Sequence, residues 1–515
     1  MNSKQNAPAR PPARSNDAPY NFVPLSRNVL DPEWAALVSH DLPMKDGVSG
    51  ELTVEICAQT PLLVGGRQVK ASSKLPGEVH FFESPDGYSI PGSSLRGMIR
   101  NVFEIATFSK MSQVDDVRFG LRDISGGRVS ESYKDFFVPK GRGPSAGKSL
   151  RKRMYGFMSL GEDGGPQITP CEMARLHKND ISKWLGFAQE AFFRSGQSVD
   201  QKYAHYTECV KKAGKGPWEE IRFDMDPATR MAGNLGSGKL TGFPVFTGQI
   251  SDNKKKDFIF FNTNEDRAFS VHETCDSAWR DFLFIHGDDT DDKGMSWPGH
   301  WKDVFYAGGR VPVFYMQNQR RLQIALAFLP KLASDFSVHD TIRHGGRSHT
   351  DEGMTDMTEL LFGRVGETSE SAIKSRVWFE MATLVGKAKP MTLAPTILNG
   401  PKASYFPHYL EQDTVRRRDG QYATYMDTPS NRRPVARGWK RYPARTDYEI
   451  QALSGDQKKN TNVQVILNPL ETGARFRSRI VFHNVTPVEL GALLWSITFG
   501  NNHECRHGLG MGKSF

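Results

Sequence analysis

Apolar and polar positions fall into clear periods near both ends of the chain and lose them in between. GELTVEICAQTPLLVGG (Gly50–Gly66) alternates Leu52, Val54 and Ile56 with polar neighbours, which predicts a half-buried strand that turns at Pro61 and Gly65–Gly66. VHFFESPDGYSIPGSSLRGMIRNVFEIATF predicts a strand at Val79–Phe82, a turn at Pro85–Asp86–Gly87, and a helix with Ser93 or Ser94 as N-cap. Behind that cap Leu95, Met98, Ile99, Val102, Phe103 and Ile105 keep helical spacing, and Arg96 and Arg100 lie four apart to one side. Near the other end, ARFRSRIVFHNVTPVELGALLWSITFGNN predicts a strand at Phe476–Phe482 and then a helix. Thr486 is its cap, Pro487 its first residue, and Val488, Leu490, Leu493, Leu494 and Ile497 its apolar face.

From about Asp115 to Arg347 the chain is rich in Gly, Lys and Asp, with short apolar runs such as FPVF (Phe243–Phe246) and VPVFY (Val311–Tyr315). Pattern returns at ELLFGRVGE and AIKSRVWFEMATLVG, and fades again from Pro401 to Asn460. Two strand–loop–helix units near the ends are the mark of a split β-α-β plan, shared by ferredoxin-like and RNA-recognition (RRM-like) folds. The expectation is an α+β protein with core segments 48–118, 355–400 and 463–515. Large irregular insertions fill 119–350 and 401–462, and residues 1–19 form a disordered tail.

Charge and composition narrow the chemistry. Lysine and arginine number 67 against 58 acidic residues, a net charge of +9, so the placement of positive charge matters more than its sum. Five scattered cysteines without a C-x-x-C pair suggest neither a zinc site nor a disulfide framework, and fit free thiols in a reducing cytosol. No apolar run reaches membrane-spanning length, and the N-terminus carries no signal-peptide core. GMGKS near the end mimics a phosphate-binding loop, yet His507 stands where its first glycine belongs, and Arg142 does the same to AGKS at 146–149.

Three segments are candidates for holding a nucleic-acid backbone. Ser93, Ser94, Arg96 and Arg100 occupy the first turns of a helix, where hydroxyls and guanidiniums suit phosphate; a plain cap with solvated arginines remains open. NRRPVARGWKRYPARTDY interleaves Arg432, Arg433, Arg437, Lys440, Arg441 and Arg445 with Trp439 and Tyr442, the makeup of a surface that neutralises phosphates and stacks bases, or of a solvated basic loop. RRRDG (Arg416–Gly420) and SLRKRMYGF (Ser149–Phe157) add positive charge. The tail RHGLGMGKSF sets Gly508, Gly510 and Gly512 at alternate positions beside Arg506, His507 and Lys513, clearing one face for a close backbone or forming a tight turn. HGDDTDD (His286–Asp292) reads as an exposed acidic loop, and His339, His344 and His349, five apart, do not share one helical face.

IPGSSLRGMIRNVFE, the LFGRVGE…SRVWFEMA stretch, FHNVTPVELGALLW and HGLGMGKSF together resemble the RAMP superfamily of CRISPR-associated proteins. More narrowly they look like backbone subunits of type III (Csm/Cmr-like) effectors, in a large variant. The resemblance covers about the first 110 and much of the last 160 residues. It implies a ferredoxin-like core that grips guide RNA, with the PGSS helix and the glycine-rich loop beside it, together with target RNA and other effector subunits as partners. Several members cut target RNA through a loop aspartate that promotes attack by the ribose 2′-hydroxyl; a divalent metal would enter only with such cleavage. Gly65–Gly77 holds no acid, which leaves Glu78, and after it Asp86, as catalytic candidates. The family continues past the glycine-rich loop into a further strand, whereas this sequence ends at Phe515; the edge left open would invite strand addition. The expected function is RNA binding, with an active endoribonuclease and a protein scaffold as alternatives.

Overall fold

The structure, a computed structural model, describes residues 18–122, 153–187, 196–249, 253–286, 299–317, 321–366, 368, 371–412, 422–427, 433–444 and 452–511. Residues 1–17 of the expected tail, the 287–292 acidic run, Arg416–Gly420, Arg432, Arg445, Gly512 and Lys513 lie outside the described residues, as does the start of SLRKRMYGF at 149–152. The protein is mixed α+β and divides into two units: Met1–Val117 with Phe336–Thr414 and Ala423–Phe515, and Arg118–Asp335 with Val415–Tyr422.

Strands of the first unit are β1 (Asn21–Val23), β2 (Val48–Cys57), β3 (Gly65–Val69), β4 (Gly77–Phe81), β5 (Glu83–Ser84), β6 (Gly87–Ile90), β7 (Val377–Phe379), β8 (Ala382–Val385), β9 (Trp439–Arg441), β10 (Val465–Asn468) and β11 (Arg475–Val485). Helices α1 (Gly92–Ala106), α2 (Met357–Phe362) and α3 (Pro487–Thr498) accompany them. β11 is the spine of the main sheet. It pairs antiparallel with β2 on one side and with β7 and β8 on the other, and β6 and β5 follow. Its alternation explains its place: Phe476, Ser478, Ile480 and Phe482 are buried, while Arg475, Arg477 and Arg479 are exposed. Arg477 bonds Glu55 at 2.7 Å, and Arg479 reaches Glu51 at 3.0 Å and Glu380 at 2.6 Å. Such exposed pairs are screened by solvent and fix register more than they add stability.

α1, α2 and α3 cover the apolar face, with Ile99, Phe103, Phe362, Val377, Ile480, Phe482 and Leu493 in one buried cluster. Each of these side chains contributes on the order of 1.5–3 kcal/mol. α3 begins as its sequence predicts: Thr486 accepts from the Glu489 N–H, the Glu489 carboxylate accepts from the Thr486 N–H, and Pro487 sits in the first turn. Beneath this cap Arg376, fully buried, donates to Leu360 O at 3.1 Å, to Asn484 O, and to both carboxylate oxygens of Glu489.

A smaller sheet holds β4 between β10, parallel, and β3, antiparallel. The turn expected at Gly65–Gly66 is instead the start of β3, and a bulge separates the Gly65 and Gln68 pairings.

The second unit corrects the reading of 119–350 as irregular. Its main sheet runs Ala232–Gly233, Ile221–Met225, Leu240–Val245, Lys256–Phe261, Pro166–His177, Met154–Leu160, Val311–Gln317, Leu322–Ala325, with Phe269–Ser270 also paired to Pro166–His177. Lys256–Phe261 is buried on both faces, Ile259 and Phe261 against one cluster and Phe258 and Phe260 against another. A strand covered on both sides shows no alternation, so the period that marked β2 and β11 is absent here.

Within this unit Lys202 and Lys254 share the buried carboxylate of Asp257, at 2.9 and 2.6 Å. Burial, only partly offset by the attraction of Asp257, brings the Lys202 ammonium down to about 8. The unfolded chain therefore holds a proton between pH 8 and 10.5 that the folded chain has lost. Stability is expected to rise across that interval in urea titrations of the full chain, and the rise to vanish in Lys202→Met.

Candidate nucleic-acid interface

One groove of about 880 Å³ gathers segments that are distant in sequence. Its floor is apolar: Leu52, Val54 and Ile56 of β2, Met98 and Ile99 of α1, and Ile497 of α3. Lys440–Arg441–Tyr442 and Arg506–Gly510 line it as well, so the basic stretch and the glycine-rich tail meet beside α1. Among the described strands β2 pairs only with β11, and its other edge runs along this groove.

Local structure explains how the cations reach it. β9 pairs with β1, placing Lys440 opposite Phe22 and Arg441 opposite Asn21. Gly438 makes the approach: its φ of +119° and a Cβ that would fall 2.0 Å from Val23 O leave room for no other residue. Lys440 Nζ lies 5.6 Å from the ring centres of Tyr20 and of Tyr442, and Arg441 donates to Asn101 Oδ1 on α1. Among the described residues no carboxylate pairs with either side chain. Burial pulls both cations below their usual pKa range, the mark of positive charge held out of water without a counter-ion. Arg506 bonds only carbonyls of its own turn, His503 O and Cys505 O, and adds a third cation.

In the tail Leu509 and Met511 pack on the core, and Met511 N–H bonds Leu63 O at 3.1 Å. Between them Gly510 takes φ +104°, and a side chain at Gly508 would meet open space. Glycine therefore keeps the groove wall free of side chains at these positions.

Other sequence-derived candidates have different roles. The α1 cap is Pro91, without a side-chain bond, and neither Ser93 nor Ser94 caps the helix. Gly92 is what the position requires, since a Cβ there would come within 2.0 Å of Phe379 O. Arg96 donates to Phe362 O and lies over the Phe362 ring, and Arg100 pairs with Glu104 at 2.9 Å with both side chains largely buried. Neither arginine lines the groove. Trp439 is a core residue at 8% exposure, so it offers no face to a base, and Arg437 lies over Phe22 and donates to His408 O. His507 lines the groove as a neutral ring: burial depresses its pKa, and Nε2 donates to Ile497 O at 2.9 Å.

Asp86 sits exposed in the β5–β6 turn, its backbone bonded to Ser84 Oγ. Glu78 lies on β4 itself, with Oε2 3.0 Å from His80 Nε2. His339, His344 and His349 reach three separate carbonyls, Val114, Pro434 and Ser26. Among the described residues no group of His, Cys, Asp or Glu is placed to hold a metal ion, and no helix is long and apolar enough to cross a membrane. All five cysteines are free thiols. Compared with known proteins, the chain matches no family model and no curated protein.

Proposed function

We propose that the protein is an RNA-binding subunit of a type III CRISPR-like antiviral defence complex, gripping guide RNA along its phosphates and supporting target pairing. The observation that carries this reading is the meeting of three cations without a carboxylate partner among the described residues, Lys440, Arg441 and Arg506, on one apolar groove walled by Gly508 and Gly510. Phosphates satisfy partly desolvated cations, and an apolar floor with Tyr442 beside it accepts unstacked bases. The ferredoxin-like part of the reading draws on strand order. β2, β11 and β7/β8 stand side by side with α1 and α3 packed together, which is the order of the first, third and second strands in a split β-α-β sheet.

The test is RNA binding across a salt series. Wild type should bind single-stranded RNA with a steep log–log salt slope. Lys440→Glu with Arg441→Glu should weaken binding and flatten that slope by roughly 1.4, about 0.7 for each phosphate contact removed. A protein that carries no RNA at low salt, or a double variant with an unaltered slope, would leave the protein scaffold as the better reading.

A further inference from the structure

The turn that follows α3 along the groove has an unusual backbone. Phe499, Gly500 and Asn501 take φ of +51°, +64° and +64°, three left-handed residues in a row, where residues other than glycine visit that region singly. For a phenylalanine this is an outlier, and such outliers persist only where the surroundings hold them, often at ligand sites. The Phe499 ring centre lies 4.4 Å from that of His507, and the Trp495 ring meets Phe499 edge-on at 6.2 Å. His507 is tied back to Ile497 O at 2.9 Å, so the turn is clamped to the glycine-rich tail. Residues 500–506 are all exposed, and Asn501, Asn502 and Arg506 among them line the groove. Of the groove's three asparagines two are engaged: Asn101 Oδ1 accepts from Arg441, and Asn502 Oδ1 accepts from the Glu504 N–H at 2.9 Å. Asn501 donates its backbone N–H to Thr498 Oγ1 at 3.4 Å, and its side-chain amide has no partner among the described residues. Tolerance of the left-handed region does not by itself select asparagine here, since glycine tolerates it better.

We propose that Asn501 reads a base edge, so that the groove prefers adenine at one position of a single-stranded RNA, an inference that rests on the RNA-binding reading above. A primary amide offers an acceptor oxygen beside an N–H donor in one plane. That pair matches N6 and N7 of adenine, the usual partner of an asparagine side chain. Adenine repeats the pattern at N6 and N1, so an unstacked adenine can be met on its Hoogsteen or its Watson–Crick edge. Phosphate contacts from Lys440, Arg441 and Arg506 would fix the place of the strand but carry no sequence, which leaves the choice of base to the free amide. The clamped turn adds precision. A side chain on backbone already held by Phe499 and His507 has little left to order when the base arrives. The groove is then a reader at one nucleotide and a phosphate track at the others.

The experiment measures binding of the full chain, by fluorescence anisotropy at low salt, to oligo(U) of one length carrying A, C, G or U at its centre. Wild type should bind the A-centred oligonucleotide about 10-fold more tightly than all-U, the share of one bidentate base contact. Asn501→Gly suits the left-handed backbone and removes only the amide, and it should bring the A-centred affinity down to the all-U value. Asn501→Asp, an acceptor without a donor, should move the preference to the C-centred oligonucleotide, whose N4 amino group donates. A purely structural role for Asn501 would move neither preference. Wild type that binds all four alike or favours another base, or an Asn501→Gly variant that still prefers adenine, overturns the base-reading inference and leaves the phosphate-binding reading standing. Wild type that binds none of the four overturns both.

Discussion

Arg376→Ala is expected to lower the stability of the first unit by about 3–5 kcal/mol, the cost of leaving one member of a buried ion pair behind. Arg376 and Glu489 are both at 0% exposure, and no water competes for their charges. The guanidinium also serves Leu360 O and Asn484 O, so its loss strands two carbonyls as well as a carboxylate. Glu489 in turn closes the cap of α3 and accepts from Trp34 Nε1 at 3.4 Å. Removing the arginine therefore loosens the point where α2, β11 and α3 meet. Hydrogen exchange in peptides covering Pro487–Thr498 reads the effect directly. Arg376→Met combined with Glu489→Leu should recover much of the loss, because a paired replacement leaves no orphaned charge. Unaltered protection in the single variant would show that this pair does not hold the α3 terminus.

Asp257→Ala should be of similar size, about 3–5 kcal/mol, in the second unit. Its carboxylate holds Lys202 and Lys254 and accepts from the Thr247 N–H at 3.0 Å. Lys202 is at 0% exposure, so without the Asp257 carboxylate its charge becomes costlier to hold in the fold. The variant should thus be most damaged at neutral pH and recover in alkaline urea titrations as Lys202 gives up its charge. Asp257→Asn keeps the Thr247 bond, and the difference between the two variants isolates the electrostatic share.

Legibility from sequence followed how local each cause is. The α3 start is written within TPVE, because both cap bonds join residues three apart, and the structure has it as read. β2 and β11 were legible because one face of each meets solvent. The strands of the second unit were not, since MYGFMSL and KDFIFF are covered on both faces and lose the period that betrays a strand. Partners across long sequence gaps were equally hidden. The spacing of Arg96 says nothing of Phe362, and a tryptophan among arginines looks like a stacking platform until β1 buries it. In the groove, Lys440, Arg441 and Arg506 were visible as charge, but the absence of carboxylate partners for them among the described residues was not.

The main sheet closes very late in synthesis. Glu51 on β2 meets Arg479 on β11, 428 residues further on, and the whole second unit is encoded between them. At ribosomal speeds of about 5–20 residues per second, β2 waits roughly 20–90 s for its partner strand. Throughout that interval Leu52, Val54 and Ile56 stand on an unpaired strand, while the intervening segment, with all its own pairings already translated, is free to collapse first. The order of biogenesis is thus inside-out, and the earliest-made strand of the main sheet is the one most in need of a holding chaperone.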